Sequence, residues 1–163
     1  MRGKTEFLQI RVTPAEKAAL RKLAAQAGQD VSAFVLSRAL PAARLHFQEL
    51  LRELRNDGNR GYVMAELNDL LTGLSSAAFA DAVADADLRS CSPFAAAYVA
   101  AMVEHAADLK GCRPPSWTRH VEALDEPWFA ADLKSLRPWL LAASPVPFKR
   151  RNIFVDAAIG DRV

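Results

Sequence analysis

The sequence predicts a mainly α-helical protein in two parts, a small N-terminal module led by one strand and a larger helical domain. Three observations lead there. Apolar residues recur at helical spacing from Leu20 to Ala106. The leading alternation at period two falls in residues 5–12, ahead of every helix. The net charge of +2 is unevenly divided. Residues 1–60 hold 11 Lys/Arg against 6 Asp/Glu, and residues 61–163 hold 10 against 13. With 51% apolar and 25% charged residues, the chain has the composition of a globular protein.

The first element is the strand, Thr5-Glu6-Phe7-Leu8-Gln9-Ile10-Arg11-Val12. Leu8, Ile10 and Val12 share one face, and Phe7, Gln9 and Arg11 the other. Thr13-Pro14-Ala15-Glu16 then starts a helix. Thr13 is suited to the N-cap, Pro14 to the first turn, and Glu16 completes a capping box. Leu20, Leu23, Ala24 and Ala27 form its apolar stripe, and Gly28 closes it. Asp30 or Val31 opens a second helix with Phe34 and Val35 inward, and Pro41 kinks or restarts it near Leu40. Residues 1–41 make up the module.

Residues 42–60 connect it to the rest through a helix over 42–55 (stripe Phe47, Leu50, Leu51, Leu54) and a turn at Asp57-Gly58. The domain over 61–163 opens with a helix over 62–73, carrying Met64, Leu67, Leu70 and Leu71. A second follows over 77–87, capped by Ser76. The clearest runs over 93–110 from Ser92-Pro93, with Phe94, Tyr98, Val99, Met102, Val103 and Ala106 inward and Gly111 at its end. Beyond Gly111, six prolines break up a stretch that holds all three tryptophans, Trp117, Trp128 and Trp139. There a helix around 132–143 is expected amid ordered loop, and Ile153-Phe154-Val155 forms a short strand or an extended arm.

The lone N-terminal strand has no hairpin mate nearby in sequence, and unpaired backbone groups are costly. Pairing with the same strand of a second chain resolves this across a two-fold axis. Phe7, Gln9 and Arg11 then project together from a two-stranded ribbon. Such a ribbon fits the DNA major groove, where Arg and Gln make bidentate contacts with guanine and adenine edges.

This order of strand, Thr-Pro helix start, glycine turn and second helix over residues 4–40 resembles the ribbon-helix-helix family, which includes the Arc and MetJ repressors and many antitoxins. The resemblance implies an obligate homodimer on operator DNA. Phe7, Gln9 and Arg11 fall at base-reading positions. Lys4, together with Val31 and Ser32 at the start of the second helix, is expected on phosphates. Two departures stand out. Phe7 is apolar where a polar reader is usual, which suits a thymine methyl or packing. Asp30 sets a negative charge beside the expected phosphate, which is compatible only if it caps the helix.

No catalytic constellation is visible in the larger region, so an enzyme is not expected. There is no glycine-rich phosphate loop. The spacing of His105 from Cys91 and Cys112 matches no usual zinc pattern, so neither a metal nor another cofactor is expected. His46 and His120 have no nucleophile motif beside them. Asp81, Asp85 and Asp87 recur at helical spacing and read as a solvated acidic face. The longest apolar run, Phe94–Val103, has ten residues, whereas a membrane span needs roughly 20. With no signal peptide and no secreted disulfide framework, the cytoplasm is expected.

The tail runs from Ser144-Pro145 through Lys149-Arg150-Arg151 to Ile153-Phe154-Val155. Such an apolar triplet must be buried, in this chain or in another. Lys149, Arg150, Arg151, Ile153 and Phe154 are the candidate contacts with a partner protein, and intramolecular docking of the tail is the competing reading. The segment from Tyr98 through Glu104-His105-Ala106 to Trp117, and on to this tail, resembles uncharacterised bacterial proteins carried beside predicted nucleotidyltransferase-type toxins. Together the two resemblances imply an antitoxin-like transcriptional repressor whose C-terminal domain binds a partner protein, a cognate toxin among the candidates. The alternatives are a plasmid mobilisation or partition accessory DNA-binding protein and a DNA-tethered enzyme.

Overall fold

The computed structural model describes residues 9–39, 42–55, 59–131 and 133–156, and the fold is mainly helical. The chain forms two compact units, residues 1–40 and residues 41–163.

The first unit holds α1 (Pro14–Gln26) and α2 (Val31–Ala39). Thr13 caps α1 through a reciprocal capping box. The Glu16 amide donates to Thr13 Oγ1 at 3.3 Å, and the Thr13 amide donates to Glu16 Oε2 at 2.7 Å. The helix ends in a Schellman motif. Gln29 N donates to Ala24 O at 3.0 Å and Gly28 N to Ala25 O at 3.2 Å. This geometry needs a left-handed residue, and Gly28 sits at φ 64°. The turn packs α1 against α2, burying Ala24 and Phe34. Residues 5–8 of the expected strand lie outside the described residues. Gln9–Val12 carry no regular secondary structure in the single chain.

The second unit is built around α6 (Pro93–Leu109). Ten of its seventeen residues are buried, so it is covered on nearly every side. The alanines at 95, 97, 100, 101 and 107 allow that close packing. Preceding it are α3 (Ala42–Glu53), α4 (Arg60–Gly73) and α5 (Ser76–Ala82). Phe47, Leu50 and Leu51 from α3 with Leu54 just after it, Val63, Leu67 and Leu71 from α4, and Phe79 and Ala82 from α5 join Val99, Met102 and Val103 in one core. Like α1, α6 stops at a left-handed glycine, Gly111 at φ 63°, with Cys112 N donating to Ala107 O at 2.8 Å.

Two details of this region differ from the sequence expectation. Ser75, not Ser76, caps α5, its hydroxyl accepting from Ala78 N at 3.3 Å. The helix also stops at Ala82 rather than 87, so Asp85 and Asp87 lie in a loop and not on a helical acidic face. Tertiary partners explain the difference. Asp85 takes a 2.8 Å contact from Arg44 and one from Gln48, while Asp87 takes 3.2 Å from Arg55 and 3.0 Å from Arg89. The loop is thereby tied to α3.

After α6 the chain runs through a 3-10 turn (Ser116–His120) to β1 (Trp128–Phe129), and through a second turn (Lys134–Leu136) to α7 (Arg137–Ala143). The expected helix over 132–143 is thus shorter and begins one residue before Pro138. A one-turn helix, α8 (Val146–Lys149), interrupts what reads from sequence as loop, with Pro147 in its first turn. β2 (Ile153–Phe154) then pairs in parallel with β1, placing Trp128 opposite Ile153 and Phe129 opposite Phe154.

Candidate nucleic-acid interface

In the first unit, the described base-reading candidates Gln9 and Arg11 are exposed, two residues apart, just ahead of the Thr13 cap. Phe7 and Lys4 lie outside the described residues. The apolar face between the readers is uncovered in the single chain. Ile10 is 61% exposed and Val12 43%, and Leu23 on α1 is 48% exposed. The phosphate candidates Val31 and Ser32 are exposed in the first turn of α2. Asp30 does cap that helix, its Oδ1 accepting from Ala33 N at 2.9 Å. The charge that looks misplaced beside a phosphate therefore satisfies one helix-start amide. On α1, the Thr13 amide and then its hydroxyl hold the Glu16 carboxyl below its ordinary value.

The tail candidates separate into two groups. Ile153 and Phe154 are buried within the chain, as is Val155. Ser144 Oγ fastens them from the side, accepting from Val155 N at 2.9 Å and lying 2.8 Å from Val155 O. Arg151 is buried too, and faces Glu104 of α6 in a two-pronged ion pair, both contacts at 2.8 Å. Its guanidinium also donates to Pro147 O at 3.0 Å and Thr118 O at 2.8 Å, leaving Nε as a buried donor with no partner among the described residues. Of the five tail candidates, only Lys149 and Arg150 stay at the surface. The Lys149 ammonium donates to Ala142 O at 2.8 Å.

The Glu104–Arg151 pair is a feature that sequence reasoning missed. Burial alone would raise the Glu104 pKa, but the hydrogen bonds and charge of Arg151, with Arg150 nearby, reverse this and hold it below the ordinary value. The signal available in the sequence was Glu104 directly after the ten-residue apolar run Phe94–Val103, a carboxylate that a buried helix tolerates only against a cation.

Elsewhere in the second unit, Phe94, Tyr98, Trp128 and Phe148 form an aromatic cluster with neighbouring ring centroids 4.8–6.2 Å apart. Desolvation pushes the Tyr98 hydroxyl up to about 12. Trp128 also lines an open groove of about 930 Å³, together with residues of the 86–89 loop, Trp117 and the 120–127 segment. The Trp117 indole donates to Val83 O at 2.8 Å, which fixes its ring. Among the described residues no group of three or more His, Cys, Asp or Glu is placed to hold a metal ion. The two thiols face carbonyls, Cys91 that of Leu51 and Cys112 that of Ser76, each at 3.8 Å. No helix among the described residues is long and apolar enough to cross a membrane.

No curated protein and no solved structure matches the chain at a significant level. Residues 2–60 match the family model described as NikA-like, Mobilization protein NikA. That segment takes in α1, α2 and α3, so the N-terminal third of the chain is similar to this family of mobilization proteins, and the similarity supports a ribbon-helix-helix type of DNA-binding segment.

Proposed function

We propose that the chain is a dimeric, sequence-specific DNA-binding protein that serves as an accessory factor in DNA mobilisation. The match of residues 2–60 to the mobilization-protein model carries this reading. The geometry of the first unit agrees with it. Ile10 and Val12 are exposed in one chain, as expected of a face that a second copy covers when the strands pair. Gln9 and Arg11 alternate with them in sequence, so pairing of the strands would set a base-reading edge on the opposite face, while the start of α2 offers amides to phosphate. The proposed function is binding, without catalysis. The test is genetic and physical together. Removing the gene from a mobilisable element is expected to lower transfer frequency, and supplying the Arg11→Ala variant is expected not to restore it. Unchanged transfer alongside derepression of a nearby promoter would overturn the mobilisation role.

An antitoxin-type repressor is the second reading, and it uses the same DNA reader. It is favoured by exposed apolar side chains concentrated between residues 133 and 146, namely Leu133, Leu136, Trp139, Leu141 and Val146. Side chains of this kind suit cover by another protein. Affinity capture of the full-length chain from its native host, with identification of what is retained, separates the two. A toxin supports the repressor and the DNA-processing machinery supports mobilisation.

A further inference from the structure

We propose that α1 makes a second, sequence-independent contact with the phosphates of duplex DNA through Lys17, Arg21 and Lys22, an inference that rests on the DNA-binding reading above. All three side chains are exposed. At about 100° per residue they span an arc of about 140° on the helix. Between them on that arc lie only Pro14, Ala18 and Ala25, short side chains that let a polyanion approach closely.

The ordinary explanations of a basic helix face do not account for this one. A solvated face that stabilises its own helix pairs carboxylates with cations three or four residues apart. Here the residue four before Arg21 is Lys17, a like-charge spacing that destabilises a helix. The single acid of α1, Glu16, is held by the Thr13 cap and lies off the cationic arc. Among the described residues no carboxylate forms an ion pair with any of the three cations. Compensation of the helix dipole is not their role either, because the last turn of α1 holds no basic residue. Three cations without an ion pair among the described residues, two of them at a spacing that costs their helix stability, are accounted for by an anion from outside. In a protein that reads duplex DNA, that anion is the phosphate backbone beside the ribbon.

The experiment compares the full-length chain with its K17A/R21A/K22A variant. Alanine is the better helix former at each position, so α1 is kept. Fluorescence anisotropy across a salt series measures affinity for a duplex recovered by selection and for a duplex of unrelated sequence. The expected result is weaker binding to both, with the plot of log affinity against log salt flattened by about 0.9 for each phosphate that is no longer neutralised. An unchanged slope overturns the inference, as does weakening confined to the selected duplex, which would make these side chains base readers. If the unaltered chain binds neither duplex at low salt, the DNA-binding reading itself fails and this one with it. The Arg11→Ala variant is the companion control, expected to lose preference for the selected duplex while keeping the salt slope on the unrelated one.

Discussion

At the residue scale, Arg151 shows how much one side chain can be constrained by its surroundings. Its neighbours in sequence, Lys149 and Arg150, stay at the surface, while Arg151 crosses the interior to Glu104. Breaking a buried pair leaves an uncompensated charge in a low-dielectric site, a loss of about 3–5 kcal/mol. Glu104→Gln is therefore expected to destabilise the protein by that much in denaturant unfolding, and Glu104→Gln/Arg151→Met to recover most of it. A double variant as unstable as the single one would show that the pair itself stabilises the fold. The pH dependence has a definite sign. The folded-state Glu104 pKa lies below its ordinary value of 4.5, so its contribution is complete above that value. It is lost as pH falls through the lower, folded-state pKa. The acid-side fall in melting temperature should be shallower in the double variant than in the unaltered chain. In the other unit, Arg11 is the residue on which specificity is expected to turn. Arg11→Ala should lose about 1–3 kcal/mol of discrimination at one base position per half-site. A selection experiment that returns the same preferred sequence for both proteins would remove Arg11 from the reader.

At the scale of elements, the boundaries of α1 and α6 were legible because each is set locally. Thr13-Pro14 with Glu16 starts α1, Ser92-Pro93 starts α6, and Gly28 and Gly111 end them in left-handed conformations. No neighbour lies within 4 Å of a Cβ built at Gly28, so only its backbone conformation resists substitution. Gly28→Val is expected to destabilise by about 1–2 kcal/mol, the left-handed penalty for a side-chain-bearing residue. Gly28→Asn is expected to be milder, since asparagine visits that region more readily. Equal losses, measured by thermal unfolding, would contradict this account. The extent of α5 was not legible, because the Arg44 and Arg55 contacts that hold Asp85 and Asp87 in a loop come from α3 and the turn after it, some 30 to 40 positions earlier. The strand poses the opposite problem, since its expected mate is another molecule. Ile10→Lys in the full-length chain is expected to shift sedimentation from dimer to monomer by placing a charge in the face that would pair. A variant that still sediments as a dimer would place the interface elsewhere.

At the scale of the whole molecule, the tail belongs to the core of the second unit. Ile153→Ala removes a buried side chain from the cluster around α6 and is expected to cost about 2–5 kcal/mol of that unit's stability. Duplex affinity at a temperature where the protein stays folded should hardly change. A folded variant with weakened DNA binding would tie the tail to the DNA reader after all. The sequence by itself determined the mainly helical class, the start and stop of α1 and α6, and the core positions Phe47, Leu50, Leu51, Leu54, Leu67 and Leu71, though it missed Val63. It also determined the alternation of Gln9 and Arg11 with Ile10 and Val12, on which the proposed reader rests. Each depends on residues within a turn or two of one another, where propensity, capping and periodicity act. Only the tertiary structure decided that Arg151 is buried against Glu104, that Ile153 and Phe154 pair with Trp128 and Phe129, and that one helical turn forms at Val146–Lys149. The partners in the first two cases lie 47 and 25 positions apart. A charge or an apolar triplet in sequence shows that it needs a partner, and only the packed chain decides which one it meets.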